Sequence, residues 1–336
     1  MPKSNKILLG HGSGGRLMHQ LIQGLFLAKL HNPILKELAD SALLNFKEKI
    51  AFTTDSFVVS PLKFPGGDIG KLAVCGTVND LSVAGAVPQY LSLAFIIEEG
   101  LDYNILEEIV NSIAQTVKKA KVSIVSGDLK VVEKGACDKI YINTSGIGRC
   151  LAGKSLSLKN IRVEDRVIIT GNMAQHGLAV LSKRKGMDLD LGIKSDVAAL
   201  NNLLIPVLRR TTGIKFMRDP TRGGVATTLN EIAEGCGLGI EIDEGSLPIK
   251  AGARVAAELL GIEPLYIANE GIAIIVAQKS AAGKIVRLLR KHPLGRNANV
   301  IGSIARKPKG RVILNTKIGT RRFLDMLTSE PLPRIC

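Results

Sequence analysis

The chain contains no tryptophan, and aromatic residues make up only 4% of its 336 positions. Nowhere do 18 apolar residues follow one another, and only a short apolar run precedes Gly10, so neither a membrane-spanning segment nor a signal-peptide core is predicted. The five scattered cysteines form no Cys-x-x-Cys pair, and no histidine stands at zinc-like spacing. We therefore expect no disulfide framework and no structural zinc, and we predict a cytoplasmic location.

The charge balance is strongly basic, with 45 Lys and Arg against 30 Asp and Glu and a net charge of +15. Such a charge can indicate nucleic-acid binding. The cations are nevertheless spread over the whole chain, and no groove-entering or base-stacking motif accompanies them. We expect neither a nucleic-acid nor a membrane partner, and the basic balance would instead help to recruit anionic ligands or an acidic protein.

Helix-like and strand-like runs alternate along both halves of the chain. Among them the pattern predicts strands at 49–54 and 122–126 and helices at 68–86 and 221–235. The length and the 46% hydrophobic content suit two packed cores, and the polar stretch 155–164 separates them. The predicted class is α+β, with domains at 1–154 and 155–320 and a mobile tail at 321–336.

The tail ends on Cys336, and Pro331 and Pro333 stand on either side of Leu332. Two prolines prevent this segment from forming a helix or a central strand, so it should be extended. Ten extended residues reach roughly 30 Å, enough to move a thiol between two sites. A frayed end with an incidental cysteine is the structural alternative.

Several carboxylates stand where an ionised group needs a partner. Asp80 lies in the apolar run 72–87, while Asp55 and Asp128 each follow a predicted strand. Oxygen ligands of this kind suit Mg²⁺ shared with nucleotide phosphates, although a turn or a helix cap would also explain each one. Asp219 would cap the predicted helix 221–235 or bind phosphate. Glu270, between two apolar runs, could act as a base or simply occupy a turn.

The loop Gly10-His11-Gly12-Ser13-Gly14-Gly15 would let backbone amides approach an anion, but it lacks the Lys-Ser or Lys-Thr pair of a P-loop. Taken with other strings, it resembles the HypE family of hydrogenase maturation proteins, within the superfamily of aminoimidazole ribonucleotide synthetase, selenophosphate synthetase and thiamine phosphate kinase. The strings are His11 to Gly15, Phe64 to Lys71, Gly76 to Asp80, Gly127 to Val132, Asp219 to Gly224, Asn269 to Gly271, and Pro333 to Cys336.

The resemblance implies a PurM-like fold whose N-terminal domain dimerises through its sheet and holds ATP in a cleft. It also implies that ATP drives dehydration of a carbamoyl group on the terminal thiol to a thiocyanate, the cyanide donor for the iron of [NiFe] hydrogenase. The partners would be the carbamoyltransferase HypF, the iron-carrying HypC–HypD complex and a second copy of the chain. The runner-up functions are a small-molecule kinase of the same superfamily and a non-catalytic scaffold that presents its tail.

On this basis Cys336 is the carrier, Glu270 the candidate base and Lys130 the group that neutralises charge on oxygen or phosphate. Mg²⁺ would be held by Asp55, Asp80 and Asp128, with Asn79 orienting ligand or metal-bound water. The remaining candidate nucleotide-binding residues are Gly12, Gly14, Gly15 and Lys71. Where relatives often carry an acidic residue this chain has Gln175, so no charged ligand is expected there, and His176 is open to a cleft role or a structural one.

Overall fold

The computed structural model describes residues 6–13, 16–38, 41–184, 192–327 and 334–336. The candidate nucleotide-binding residues Gly14 and Gly15, and residues 328–333 of the predicted tail, lie outside this set. Within it, no helix combines the length and apolar character needed to cross a bilayer.

The first unit is built around a sheet with the strand order β1-β6-β4-β5, in which β4 and β5 are parallel and the other pairs antiparallel. The strands of this unit are β1 (Ile50–Phe57), β2 (Lys63–Phe64), β3 (Gly67–Asp68), β4 (Ala86–Glu98), β5 (Ser123–Val132) and β6 (Ile140–Cys150), of which β2 and β3 form a separate two-stranded sheet. Its helices are α1 (Arg16–Leu21), α2 (Ala28–Leu30), α3 (Ile69–Val83) and α4 (Tyr103–Ala120), with a π-helical turn at Ile22–Leu27.

Helix α3 lies buried against the inner face of this sheet. Asp68 caps it by accepting a hydrogen bond from the Lys71 amide at 2.9 Å. Its small residues allow close packing: a Cβ added at Gly70 would come within 2.6 Å of the Ile109 carbonyl oxygen on α4. This packing fixes the position of α3, and its last turn, which carries Asp80, lies at the boundary between the two units.

The second unit has a sheet in the order β13-β12-β9-β11-β7-β10-β8, where β9 and β12 are parallel and the other pairs antiparallel. Its strands are β7 (Arg166–Ile169), β8 (Ile214–Arg218), β9 (Gly239–Asp243), β10 (Ile274–Ala277), β11 (Asn299–Ala305), β12 (Val312–Asn315) and β13 (Arg321–Phe323). Its helices are α5 (His176–Leu181), α6 (Asn201–Arg210), α7 (Gly224–Cys236), α8 (Ala251–Leu259) and α9 (Lys279–Leu289). The predicted α+β class is confirmed.

Three sequence expectations are corrected. Strands β1 and β5 extend to Phe57 and Val132, so Asp55 and Asp128 lie inside strands and not after them. Helix α7 begins at Gly224, and the residue before it, Gly223, has a positive φ of 67° that is not helical. Asp219 is therefore too far from the first turn to cap this helix. The predicted tail begins too early, because Arg321–Phe323 pairs with β12 as an edge strand.

Candidate functional site

A cleft of about 720 Å³ lies between the two units. Strand β1 and helix α3 supply one wall, and the segment after β8 together with α7 supplies the other. The charged side chains that line it are Asp55, Asp80, Arg218, Asp219, Arg222, Glu231 and Glu270, and Cys336 also lines it. The structure therefore brings four predicted site residues, Asp55, Asp80, Glu270 and Cys336, to one place.

Asp55 and Asp80 form the centre of the carboxylate cluster. Thr53 Oγ1 donates to Asp80 Oδ2 at 2.7 Å, which fixes the Asp80 side chain beside β1. Burial, followed by the charges of Asp80 and Asp219, raises the pKa of Asp55 to about 7, although Arg222 acts in the opposite direction. Two carboxylates in this position favour a shared proton or a bound cation.

Asp219 joins the cluster from the second unit. It follows β8 and accepts a hydrogen bond from Thr221 Oγ1 at 3.0 Å. Burial, and then the charge of Asp80, raise the pKa of Asp219 to about 6. The Asp-Pro motif drew attention to this residue in the sequence, but its position opposite Asp80 depends on how the two units pack.

Glu270 is only 3% exposed, and its Oε1 has no hydrogen-bond partner among the described residues. Burial raises its pKa well above the ordinary value, and the charges of Asp219 and Asp196 raise it further. A buried carboxyl oxygen without a partner costs free energy unless a ligand satisfies it. Glu270 therefore presents an unsatisfied carboxyl oxygen that a hydrogen-bond or proton donor in the cleft could satisfy.

Asn79 has a different role from the one expected. Its side chain is buried: Nδ2 donates to the carbonyl oxygens of Ala198 and Glu270 at 3.1 and 3.2 Å, and Oδ1 accepts from the Leu200 amide at 2.8 Å. The hydrogen-bonding groups of the Asn79 amide are thus occupied by main-chain partners and hold the loop of Glu270 against α3. It is placed to fix protein main chain and not to orient a ligand.

Asp128 and Lys130 do not reach the cleft within this chain. Strand pairing puts Asp55 in register with Thr144 on the inner face, and puts Asp128 in register with Ala94 on the opposite face. Both Asp128 and Lys130 are exposed, with 3.5 Å between their charged atoms. The expected trio of Asp55, Asp80 and Asp128 is therefore not assembled by one copy.

Two further candidates also lie away from the cleft. Lys71 Nζ donates to the carbonyl oxygen of Gly66 at 2.8 Å, in the first turn of α3. Gly12 packs so closely on β5 that an added Cβ would lie 2.2 Å from the Val131 nitrogen. Close packing, and not anion binding, therefore explains why residue 12 is a glycine.

The donor set suits a hard cation. Among the described residues, no three His, Cys, Asp or Glu side chains are grouped closely enough to hold a metal ion by themselves. Two carboxylates at Asp55 and Asp80, with Asp219 nearby, nevertheless match Mg²⁺, which takes one or two protein carboxylates and completes its shell with water and phosphate oxygens. The pKa values of Asp55 and Asp219 are raised first by burial and then by the charge of Asp80, and a bound cation would relieve that charge.

The end of the chain is seated beside β1. The amides of Val58 and Ser60 donate to the main-chain oxygens of Cys336 and Arg334, both at 3.2 Å. The Arg334 side chain donates to Asp138 Oδ2 at 2.9 Å. Sequence reasoning expected an extended arm, and only the fold reveals where it docks. These contacts carry Cys336 into the wall of the cleft.

Known protein families match both halves of this chain. The AIR synthase related protein N-terminal domain matches residues 38–150, and the corresponding C-terminal domain matches residues 162–315. The carbamoyl dehydratase HypE of Escherichia coli strain K12 is 45% identical over 338 residues, covering 99% of this chain and 100% of that protein.

Two solved structures are similar over nearly the full length. One is a crystal structure of hydrogenase maturation protein HypE in complex with ATP, with a TM-score of 0.95, 45% identity and coverage of 98% of this chain and 99% of that chain. The other is the crystal structure of a HypE–HypF complex, with a TM-score of 0.81, 46% identity and coverage of 91% and 99%.

Proposed function

The chain belongs to the HypE family of carbamoyl dehydratases involved in hydrogenase maturation, and from that premise we propose that it dehydrates a carbamoyl group on its own Cys336 at the expense of ATP. The product is a protein thiocyanate, which donates cyanide to the iron of a [NiFe] hydrogenase. The observation that carries the proposal is the presence of the Cys336 side chain in the same cleft as the carboxylates Asp55, Asp80 and Glu270.

The reaction needs an oxygen that can leave and two protons that can be removed. The carbamoyl oxygen attacks the γ-phosphorus of ATP and ADP departs, and with loss of one N–H proton the group becomes S–C(OPO₃)=NH. Breaking the C–O bond with loss of the second N–H proton gives S–C≡N and hydrogen phosphate. Glu270 is the proposed acceptor for an N–H proton, since its buried oxygen is unpartnered and its pKa is raised.

We propose that Asp55 and Asp80 hold Mg²⁺ with the triphosphate, with Asp219 in support. When bound, the ion would neutralise phosphate charge during transfer. Arg218 and Arg222 line the same wall and supply positive charge for a polyanion. Gly14, Gly15 and Lys71 remain candidates for nucleotide binding.

A homodimer is also proposed, through the open face of the first sheet. Phe52 is 66% exposed and Ile96 is 44% exposed on this face, which suits burial against a second copy. Asp128 and Lys130 lie on the same face, so they would meet the partner copy. A two-fold axis parallel to the strands would lay β5 of one copy across β1 of the other, where Ser56 borders the cleft.

The proposed partners are a HypF-type carbamoyltransferase, which would load Cys336, and a HypC–HypD-type complex, which would receive the cyanide. The HypE–HypF crystal structure supports the first of these. Loading requires the tail to leave its seat beside β1, and dehydration requires it to return. The cytoplasm remains the predicted site of this exchange.

The decisive test is mass spectrometry of the C-terminal peptide after incubation with Mg²⁺, carbamoyl phosphate and a carbamoyltransferase, with and without ATP. A carbamoyl adduct should form on Cys336 and, once the loading enzyme has been removed, should convert to the lighter thiocyanate only after ATP is added. The Cys336→Ser variant is the control and should carry neither mass. An ATP-dependent phosphorylation of a small molecule that persists in Cys336→Ser, without any adduct on the wild type, would overturn the proposal.

A further inference from the structure

A histidine outside the cleft lining holds the main chain of the tail. Ile335 is only 1% exposed, and its carbonyl oxygen lies 2.9 Å from His176 Nε2. Next to it, Arg184 Nη2 donates to the Arg334 oxygen at 2.8 Å. His176 therefore holds the residue immediately before Cys336, while the Val58 amide holds Cys336 itself.

The hydrogen-bond network determines which ring nitrogen carries the proton. Ser195 Oγ accepts from the Val197 amide at 3.0 Å, so its own hydrogen is left to point at His176 Nδ1, 2.8 Å away. Nδ1 must then accept, and Nε2 must carry the hydrogen that meets the Ile335 carbonyl. Burial lowers the pKa of His176 to about 4, so the ring stays neutral at physiological pH. The edge of the ring packs on Phe64, with 5.2 Å between centroids.

The segment that aims this histidine also supports the candidate base. Asp196 follows Ser195 directly, and its Oδ2 accepts from the amides of Glu270 and Gly271 at 3.1 and 2.8 Å. One short stretch of chain therefore holds the tail through His176 on one side and the Glu270 loop on the other. Movement of this stretch would shift the sulfur and the base together.

We propose that His176 is a positioning residue for the dehydration: aimed by Ser195, it donates to the Ile335 carbonyl and keeps the Cys336 sulfur in the cleft near Glu270. This inference rests on the proposed function, because the seat matters to catalysis only if Cys336 carries the reacting group. It predicts opposite effects on two steps. Weakening the seat should make Cys336 more available to outside reagents and should slow its reaction inside the cleft.

The first experiment measures alkylation of Cys336 in the full-length apo protein by following the C-terminal peptide mass over time. His176→Leu removes the donor and should raise the rate roughly five- to thirtyfold, as expected for one lost buried hydrogen bond. His176→Gln keeps an N–H donor and should lie close to wild type. The exposed His31 provides the control variant His31→Leu, and alkylation of the buried Cys75 in each protein reports any general unfolding.

The second experiment preloads the tail with carbamoyl and follows a single turnover after ATP is added. His176→Leu should slow thiocyanate formation by a similar factor, with an unchanged ATP concentration for half-maximal rate, and His176→Gln should restore it. Ser195→Ala, a milder change, should shift both readouts in the same directions by roughly two- to fivefold. If wild type forms no thiocyanate, the proposed function fails while the alkylation result still tests the seat.

The inference is overturned if His176→Leu and Ser195→Ala alkylate at Cys336 within twofold of wild type. It is also overturned if every cysteine in these variants becomes reactive together, since the histidine would then support the fold in general. Faster alkylation of Cys336 with an unchanged dehydration rate would equally reject a positioning role in the reaction.

Discussion

Replacing Glu270 by glutamine separates the basicity of this side chain from its shape. The amide fills the same buried space but cannot accept a proton from the N–H of the carbamoyl group. A general base contributes about 10²- to 10⁴-fold to a rate, which is about 3–5 kcal/mol of barrier. Glu270→Gln should therefore slow thiocyanate formation by at least about a hundredfold. ATP binding should be retained or strengthened, because one negative charge leaves the cleft.

The same substitution has a stability signature whose sign follows from the raised pKa. A carboxyl with a higher pKa in the fold than in the unfolded chain stabilises the protein fully below the unfolded pKa. That contribution is lost as the pH rises through the folded pKa. Glu270→Gln cannot titrate, so its unfolding free energy relative to wild type should increase as the pH rises above the ordinary glutamate pKa of about 4.3. Urea denaturation without Mg²⁺ measures this difference.

The matched control is Glu231→Gln. Glu231 also lines the cleft but pairs with Arg218 at 3.1 Å, so the substitution removes the same charge without removing an unpartnered base. Single-turnover mass spectrometry on preloaded protein compares the two variants. The reasoning is refuted if Glu270→Gln reacts within about tenfold of wild type, or if Glu231→Gln is equally slow.

Further predictions concern the carboxylates, the tail and one glycine. Without Mg²⁺, Asp55→Asn should gain stability relative to wild type as the pH rises from about 4 to about 7, because the pKa of Asp55 is raised from 3.8 to about 7; an unfolding free-energy difference that does not change with pH in urea denaturation would contradict this. Exposed Asp128→Asn should change the unfolding free energy by no more than about 0.5 kcal/mol in the same assay, and a larger loss would show a buried role. Arg334→Ala should raise the alkylation rate of Cys336 by roughly two- to fivefold, since an exposed ion pair contributes up to about 1 kcal/mol; an unchanged rate would remove Arg334 from the seat. Gly224→Ala should lower the melting temperature and cost at least about 1 kcal/mol, because φ is 63° and a Cβ would lie 2.6 Å from the Leu265 oxygen; an unchanged melting temperature would refute this.

Local patterns were sufficient for the class of the fold and for most element positions. The apolar run around α3 was predicted to contain a carboxylate that needs a partner, and Asp80 does line the cleft. Element ends were less well predicted, because an aspartate inside a strand has the same local signature as a turn residue. That is why Asp55 and Asp128 were expected after strands and are found within them.

Residue roles that depend on distant partners were not predictable. Asn79 was expected to orient a ligand, but its amide is occupied by the carbonyl oxygens of Ala198 and Glu270, far along the chain. For Asp219 a helix cap and a phosphate contact were both open from the sequence, and packing of the two units brings it close enough to feel the charge of Asp80. No local signal separates such a residue from a helix cap.

The sequence alone determined the chemical inventory of this protein: a thiol on the residue Cys336, carboxylates in apolar surroundings, and alternating elements that bury two cores. Only the tertiary structure decided which of these groups meet. Strand pairing aligned Asp55 with Thr144 and Asp128 with Ala94, which places the two aspartates in adjacent cross-strand rows of one sheet. Side chains in adjacent rows point to opposite faces. A hydrogen bond across 159 positions joined His176 to the residue before Cys336, and contacts of that range exist only after the chain has folded.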